Sequence, residues 1–159
     1  MDLLVVGAGE IGRWVADTAD AAPVDASVAF ADRDPSVAAD AAAGRDARTV
    51  DADGDSVHDA VCLAVPMSAV PAAVEAYAPR AREAIVDVSG EMTDALAAMR
   101  EHAPRLERAS YHPLFAPPRV PGNVAVVVDE AGPTVAALTD AIEAGGNDVF
   151  ETTAAEHDE

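Results

Sequence analysis

The chain has 159 residues, half of them hydrophobic, which suits one domain with one sizeable core. Its 29 acidic residues outnumber ten basic ones, all arginine, giving a net charge of −19 and a surface that repels nucleic acid and anionic lipid. No apolar run approaches the roughly 20 residues of a membrane span, and the opening residues do not read as a secretory leader. The single cysteine, Cys62, can form neither an intrachain disulfide nor a zinc site by itself. Together these features predict a soluble, cytoplasmic protein with no metal centre.

Apolar residues 3–6 form a short run that fits a strand buried on both faces. A helix is expected from Glu10 to about Thr18, with Ile11 and Val15 on one face. Ser27 to Ala31 reads as a second strand. Asp34 then caps a helix that has Pro35 at its first position. A short strand near 47–50 is followed by a stronger one over 59–65, closed by Pro66. Ser68 is the expected cap of the next helix, in which Val70, Val74 and Tyr77 share a face. A buried strand over 84–88 precedes a helix striped by Met92, Leu96 and Met99. Arg108–Tyr111 reads as a strand end, and residues 112–122, with four prolines, as a loop. A strand over 124–128, a helix with Val135, Leu138 and Ile142 that stops at Gly145-Gly146, and a strand over 148–152 complete the pattern. Such βαβα repetition predicts an α/β fold, a mainly parallel sheet with helices on both faces. Ligands of such sheets bind beyond the carboxyl ends of the strands.

The sequence Gly7-Ala8-Gly9-Glu10-Ile11-Gly12 lies between the first strand and the first helix. Asp32 ends the second strand 20 positions after Gly12. This spacing is the fingerprint of a Rossmann-type, doubly wound dinucleotide-binding domain, expected here over residues 1–152. Gly7 would permit the tight turn. Gly9 would let backbone approach a pyrophosphate, and Gly12 would let the helix pack on the sheet. The helix N-terminus would offer free N–H groups to the phosphates. Asp32 would accept hydrogen bonds from the adenosine ribose, which favours NAD, while Arg33 leaves NADP open. Ala64, Val65 and Pro66, at the end of the fourth strand, are expected to line the cofactor.

His112 is the sharpest candidate for chemistry. It ends a strand, and Pro113 restricts its backbone to an extended conformation. A histidine titrating near neutrality can take the proton of a substrate hydroxyl as hydride leaves the same carbon. His58 and His102 fall in polar segments expected to be exposed, and His157 is near the terminus.

The run from Ser110 through His112, Pro113, Leu114 and Phe115 to Pro117 resembles the His-Pro-Met-Phe-Gly-Pro motif of prephenate and arogenate dehydrogenases. Leu63-Ala64-Val65-Pro66 is similar to that family's Leu-Ala-Val-Pro. Ile85 to Ser89 resembles its Asp-containing strand, although Ser89-Gly90-Glu91 stands where the family has Ser-Val-Lys. The resemblance covers nearly the whole chain. It implies oxidative decarboxylation of prephenate, with His112 as proton acceptor and Ser89 as a second catalytic residue. It further implies that residues 153–159 begin a helical C-terminal domain, which in the family dimerises the enzyme and supplies an arginine for a substrate carboxylate. Within this sequence Arg119 is the nearby candidate for that charge. Another small dehydrogenase or imine reductase, or a non-catalytic cofactor-binding module, are the competing readings.

The acidic excess also reads as halophilic adaptation, because repulsion between carboxylates is screened over about 3 Å near 1 M salt. The melting temperature is therefore expected to rise with KCl concentration. A melting curve indifferent to KCl would remove that reading.

Overall fold

A computed structural model of the chain describes residues 1–21, 25–115 and 121–157. In chain order the elements are β1 (Asp2–Val6), α1 (Glu10–Ala21), β2 (Ser27–Ala31), α2 (Pro35–Ala42), β3 (Ala47–Thr49), β4 (His58–Leu63) and α3 (Val70–Tyr77). They continue with β5 (Ala81–Asp87), α4 (Thr93–His102), β6 (Glu107–Pro113), β7 (Asn123–Glu130), α5 (Pro133–Ala144), β8 (Asp148–Glu151) and α6 (Ala154–His157). Among the described residues no helix is long and apolar enough to cross a membrane.

The strands form one sheet in the order β3-β2-β1-β4-β5-β6-β7-β8. From β3 to β6 every neighbouring pair is parallel. The order 3-2-1-4-5-6 is that of a Rossmann-type, doubly wound sheet. β7 runs antiparallel to β6, and β8 runs parallel to β7. The chain winds to one side from β1 and to the other from β4, so a crevice opens between the carboxyl ends of these two strands.

Side chains alternate across the sheet. Leu3, Val5, Phe30, Cys62, Val86 and Tyr111 pack on the face covered by α1, α2 and α5. Leu4, Val6, Val61, Leu63 and Ile85 pack on the face covered by α3 and α4. Each such aliphatic side chain contributes about 1.5–3 kcal/mol by leaving water. That apolar core offsets the self-repulsion of the acidic surface. Asp34 caps α2, its carboxylate accepting from Ser36 N, with Pro35 in the first turn.

The structure corrects three expectations. Ser68 caps nothing: it lies in a 3-10 turn, Met67–Ala69, and α3 begins at Val70 without a side-chain cap. His58 is 1% exposed rather than at the surface, because its ring sits between Asp2 Oδ2 at 3.2 Å and Ser56 Oγ at 3.0 Å. The strand carrying Tyr111 continues through His112 to Pro113, since β7 pairs with it over that length. β7 pairs antiparallel with β6, so the chain reverses direction between them, within the mainly parallel sheet that the sequence leads one to expect.

Asp129 on β7 ties three elements together. Arg100 of α4 donates to it through Nε at 2.9 Å, and Arg108 of β6 through Nε at 2.8 Å. The hydrogen bond from Arg100 is the leading cause, ahead of the opposing effect of burial, and the Asp129 carboxyl is held below the usual carboxylate range. Its stabilisation is complete above the ordinary carboxylate pKa and is lost as pH falls through the lowered folded value. Asp129→Asn is expected to cost about 1–2 kcal/mol at pH 7, discounted for the exposure of Arg100. It should also flatten the decline of stability below about pH 4. Urea denaturation at pH 7 and pH 3 measures both effects.

Candidate active site

The carboxyl ends of β1, β4 and β5 lie at one level, since Val6 pairs with Leu63 and Leu63 with Asp87; Asp87 pairs with Ser110, and β6 runs on past that level through His112 to Pro113. The glycine loop leaves β1 at this edge. Gly7 N donates to Ala31 O at 2.8 Å and Ala64 N to Val6 O at 2.7 Å. Gly7 has φ +95°, and a Cβ there would stand 2.4 Å from Ala64 O. A Cβ on Gly12 would stand 2.0 Å from Gly7 O. Both positions therefore exclude a side chain. Around Gly9 a Cβ would meet nothing within 4 Å, so this backbone faces open space. Arg13 N donates to Gly9 O at 3.0 Å and closes the first turn of α1. Glu10 and Ile11 open that helix, Glu10 exposed and Ile11 turned partly onto the core.

Asp32 sits just past β2. Its Oδ2 accepts from Ala8 N at 2.9 Å and its Oδ1 from Asp34 N at 2.9 Å. The carboxylate is thus fixed beside the glycine loop, and each oxygen keeps a further lone pair. A cavity of about 710 Å³ opens from it, lined also by Arg33, Pro35, loop 51–56 and Arg80. Ala64 and Val65, past the end of β4, are half-buried, and Pro66 is exposed.

On β5 and β6 three polar side chains point to one face. Asp87 is fully buried, and its Oδ2 accepts from Ser89 N at 3.0 Å and from the Ser89 hydroxyl. Ser89 is thereby folded back onto Asp87 in an Asx turn. Gly90 follows with φ +95°, and a Cβ there would stand 2.9 Å from His112 Nε2. The imidazole therefore lies over the turn that follows β5. Two residues earlier on the same strand, the Ser110 hydroxyl is buried with no hydrogen-bond partner among the described residues. Cys62 is also buried, and burial, with the nearby Asp87 charge, pushes its thiol far up, so it offers no thiolate.

The glycine loop, Asp32 and His112 thus share one edge of the sheet. β1 and β6 are three strand spacings apart, about 14 Å. Arg119 lies outside the described residues, as do Ala116 and Pro117 of the histidine motif. Among the described residues no group of three His, Cys, Asp or Glu side chains is placed to hold a metal ion.

Three participants escape a reading of the sequence. Gly90 gives His112 its room. Phe115 packs edge-on against Trp14 of α1, ring centroids 5.4 Å apart, and joins the segment after His112 to the helix of the glycine loop. Loop 51–56 walls the cavity, and its one sequence signal is the run Asp51-Ala52-Asp53-Gly54-Asp55, a turn composition with no chemistry of its own.

No protein-family model matches the chain. No curated protein matches it in sequence. Solved structures do match in fold. Prephenate dehydrogenase from Aquifex aeolicus, solved with hydroxyphenyl propionate and NAD+, superposes with a TM-score of 0.80 at 14% identity, over 99% of this chain and 62% of that one. Synechocystis arogenate dehydrogenase gives 0.80 at 19% identity, over 99% and 62%. A pyrroline-5-carboxylate reductase from Coxiella burnetii gives 0.76 at 14% identity, over 95% and 58%. The chain spans about three fifths of the length of these proteins. Its fold is the one that prephenate and arogenate dehydrogenases share with pyrroline-5-carboxylate reductases.

Proposed function

We propose that the chain is the cofactor-binding domain, over residues 1–152, of a nicotinamide-dependent dehydrogenase acting on prephenate or arogenate. The observation that carries this reading is His112, lying over Gly90 at the same sheet edge as the glycine loop. The residues present fit a dinucleotide. The open backbone at Gly9 leaves space where a Cβ would intrude, and the cavity beside Asp32 is large enough to admit an adenosine.

Gly7 through Gly12 would hold the pyrophosphate on the N-terminus of α1. Asp32 would accept from the ribose hydroxyls with its remaining lone pairs, and Ala64, Val65 and Pro66 would line the path toward β5. NAD is favoured over NADP. Asp32, Asp51, Asp53 and Asp55 surround the cavity, outnumber Arg33 and Arg80, and repel a 2′-phosphate. A bound nicotinamide supplies the hydride acceptor. His112 would take the proton of the substrate's ring hydroxyl as hydride leaves the same carbon; loss of the ring carboxylate as carbon dioxide would leave a phenolate that recovers a proton, giving 4-hydroxyphenylpyruvate from prephenate or tyrosine from arogenate. Ser89, held by Asp87, orders the turn beneath His112. Arg119 is the candidate partner for a substrate carboxylate.

A second reading, imine reduction, is favoured by the Coxiella burnetii neighbour. Cofactor reduction followed at 340 nm with prephenate, in high KCl, separates the two. Turnover with NAD exceeding that with NADP, abolished by His112→Asn while calorimetric NAD binding persists, is the expected result. Oxidation of NADH by a cyclic imine, with no response to prephenate, would replace the first reading by the second.

The glycine loop supplies its own test. Gly12→Ala forces a side chain against the Gly7 carbonyl and is expected to destabilise by about 3 kcal/mol or more. Gly9→Ala should cost under about 1 kcal/mol, as an N-cap change, yet weaken NAD binding by at least about tenfold. Melting curves and calorimetry on both variants read this out. Unaltered NAD affinity in Gly9→Ala would remove the pyrophosphate from this loop.

A further inference from the structure

Arg80 ends a 3-10 turn, Ala78–Arg80, and is 4% exposed. A guanidinium so deeply buried ordinarily meets a carboxylate. Among the described residues Arg80 forms no ion pair. Its donors go to one loop instead. Nε donates to Ser56 O at 2.9 Å, Nη1 to Asp51 O at 3.0 Å and Ala52 O at 3.1 Å, and Nη2 to Ser56 Oγ at 2.8 Å. The Tyr77 ring lies 5.2 Å from Arg80 Cζ, and its hydroxyl donates to Ala52 O at 3.0 Å.

The loop so held, residues 51–56, carries three carboxylates in six residues. Like charges at that spacing repel, and a loop free to respond would spread. A buried cation bonded to the loop's carbonyls opposes the spreading without neutralising any single side chain. A second latch holds the end of the loop. Ser56 Oγ, which accepts from Arg80, also lies 3.0 Å from His58 Nε2, and His58 Nδ1 lies 3.2 Å from Asp2 Oδ2. Burial opposes ionisation of Asp2, but hydrogen bonds from Arg48 and His58 outweigh it and hold that carboxyl below its ordinary value.

Loop 51–56 and Arg80 line the cavity whose other walls include Asp32, Arg33 and Pro35. We propose that Arg80 is the positioning residue of the adenosine subsite: by clamping loop 51–56 it sets the width of the cavity that receives the adenosine half of the cofactor. Resting on the dinucleotide reading above, the inference gives a residue outside the glycine fingerprint control over cofactor affinity.

ADP-ribose, which carries the adenosine half and no nicotinamide, is the probe. Its dissociation constant is measured calorimetrically on the full chain, well below the melting temperature of each variant. Arg80→Lys keeps the charge and loses the fork, and is expected to raise that constant about tenfold. Arg82→Lys, at an exposed arginine paired with Asp59, is expected to leave it unchanged. A folded Arg80→Lys protein that binds ADP-ribose as tightly as the wild type overturns the proposal. Should Arg80→Lys not fold, Tyr77→Phe and Ser56→Ala each remove one bond to the clamp and are expected to weaken binding about threefold. Wild-type affinity in both overturns it equally. A wild-type chain that ignores ADP-ribose also overturns it. Binding of ADP-ribose without turnover of prephenate removes the proposed reaction and leaves the clamp standing.

Discussion

The passage of Gly7 between the Ala64 carbonyl and Gly12 governs the carboxyl edge of the sheet. No side chain fits at either glycine, so the end of β1, the start of α1 and the end of β4 approach more closely than any other residue type would allow. This contact sets where α1 lies. With α1 in place, Trp14 meets Phe115 and positions the chain beyond His112. Through the β4 end it also sets the level from which β5 and β6 present Asp87, Gly90 and His112. A crowded backbone contact on one side of the crevice thus helps to place a side chain three strands away.

Electrostatics do a different task. Arg45 meets Asp17, Arg48 meets Asp2, and Arg82 meets Asp59, each joining separate elements at the surface. Such exposed pairs contribute about 0–1 kcal/mol each and less in salt. The Arg108–Asp129 pair is more enclosed and closes the junction of β6 and β7. Arg80 differs from these: its buried guanidinium donates to three carbonyl oxygens and the Ser56 hydroxyl. In a chain with few arginines, placing one there commits it to the shape of a single loop.

Much of this was legible in the sequence because it is local. The glycine spacing, the aspartate ending β2, the Asp34-Pro35 helix start and the striped faces of α3, α4 and α5 follow from neighbours within a few residues. The reversal at β7 was not, since an apolar strand reads the same in either direction. His58 looked exposed because its partners, Asp2 and Ser56, lie outside any periodic pattern. Ser68 looked like a cap, but Pro66 and Pro71 flank it and the chain makes a 3-10 turn before the helix. The approach of Gly90 to His112 joins two strands, and no spacing announces it.

The reversal after β6 also has a bearing on how such a domain can change. In a wholly parallel sheet, the chain beyond His112 would depart into a crossover helix, and altering it would disturb a whole layer. Here the chain leaves at Pro113 and returns at Asn123 on the same edge, where Leu114 N donates to Asn123 O at 2.8 Å and Gly122 N to Asn147 Oδ1 at 3.0 Å. A segment anchored at both ends can gain or lose residues cheaply, since doubling its length costs only about 0.6 kcal/mol. The stretch between the Phe115–Trp14 contact and Asn123 can therefore change in length over evolution while the anchors at its two ends stay where they are.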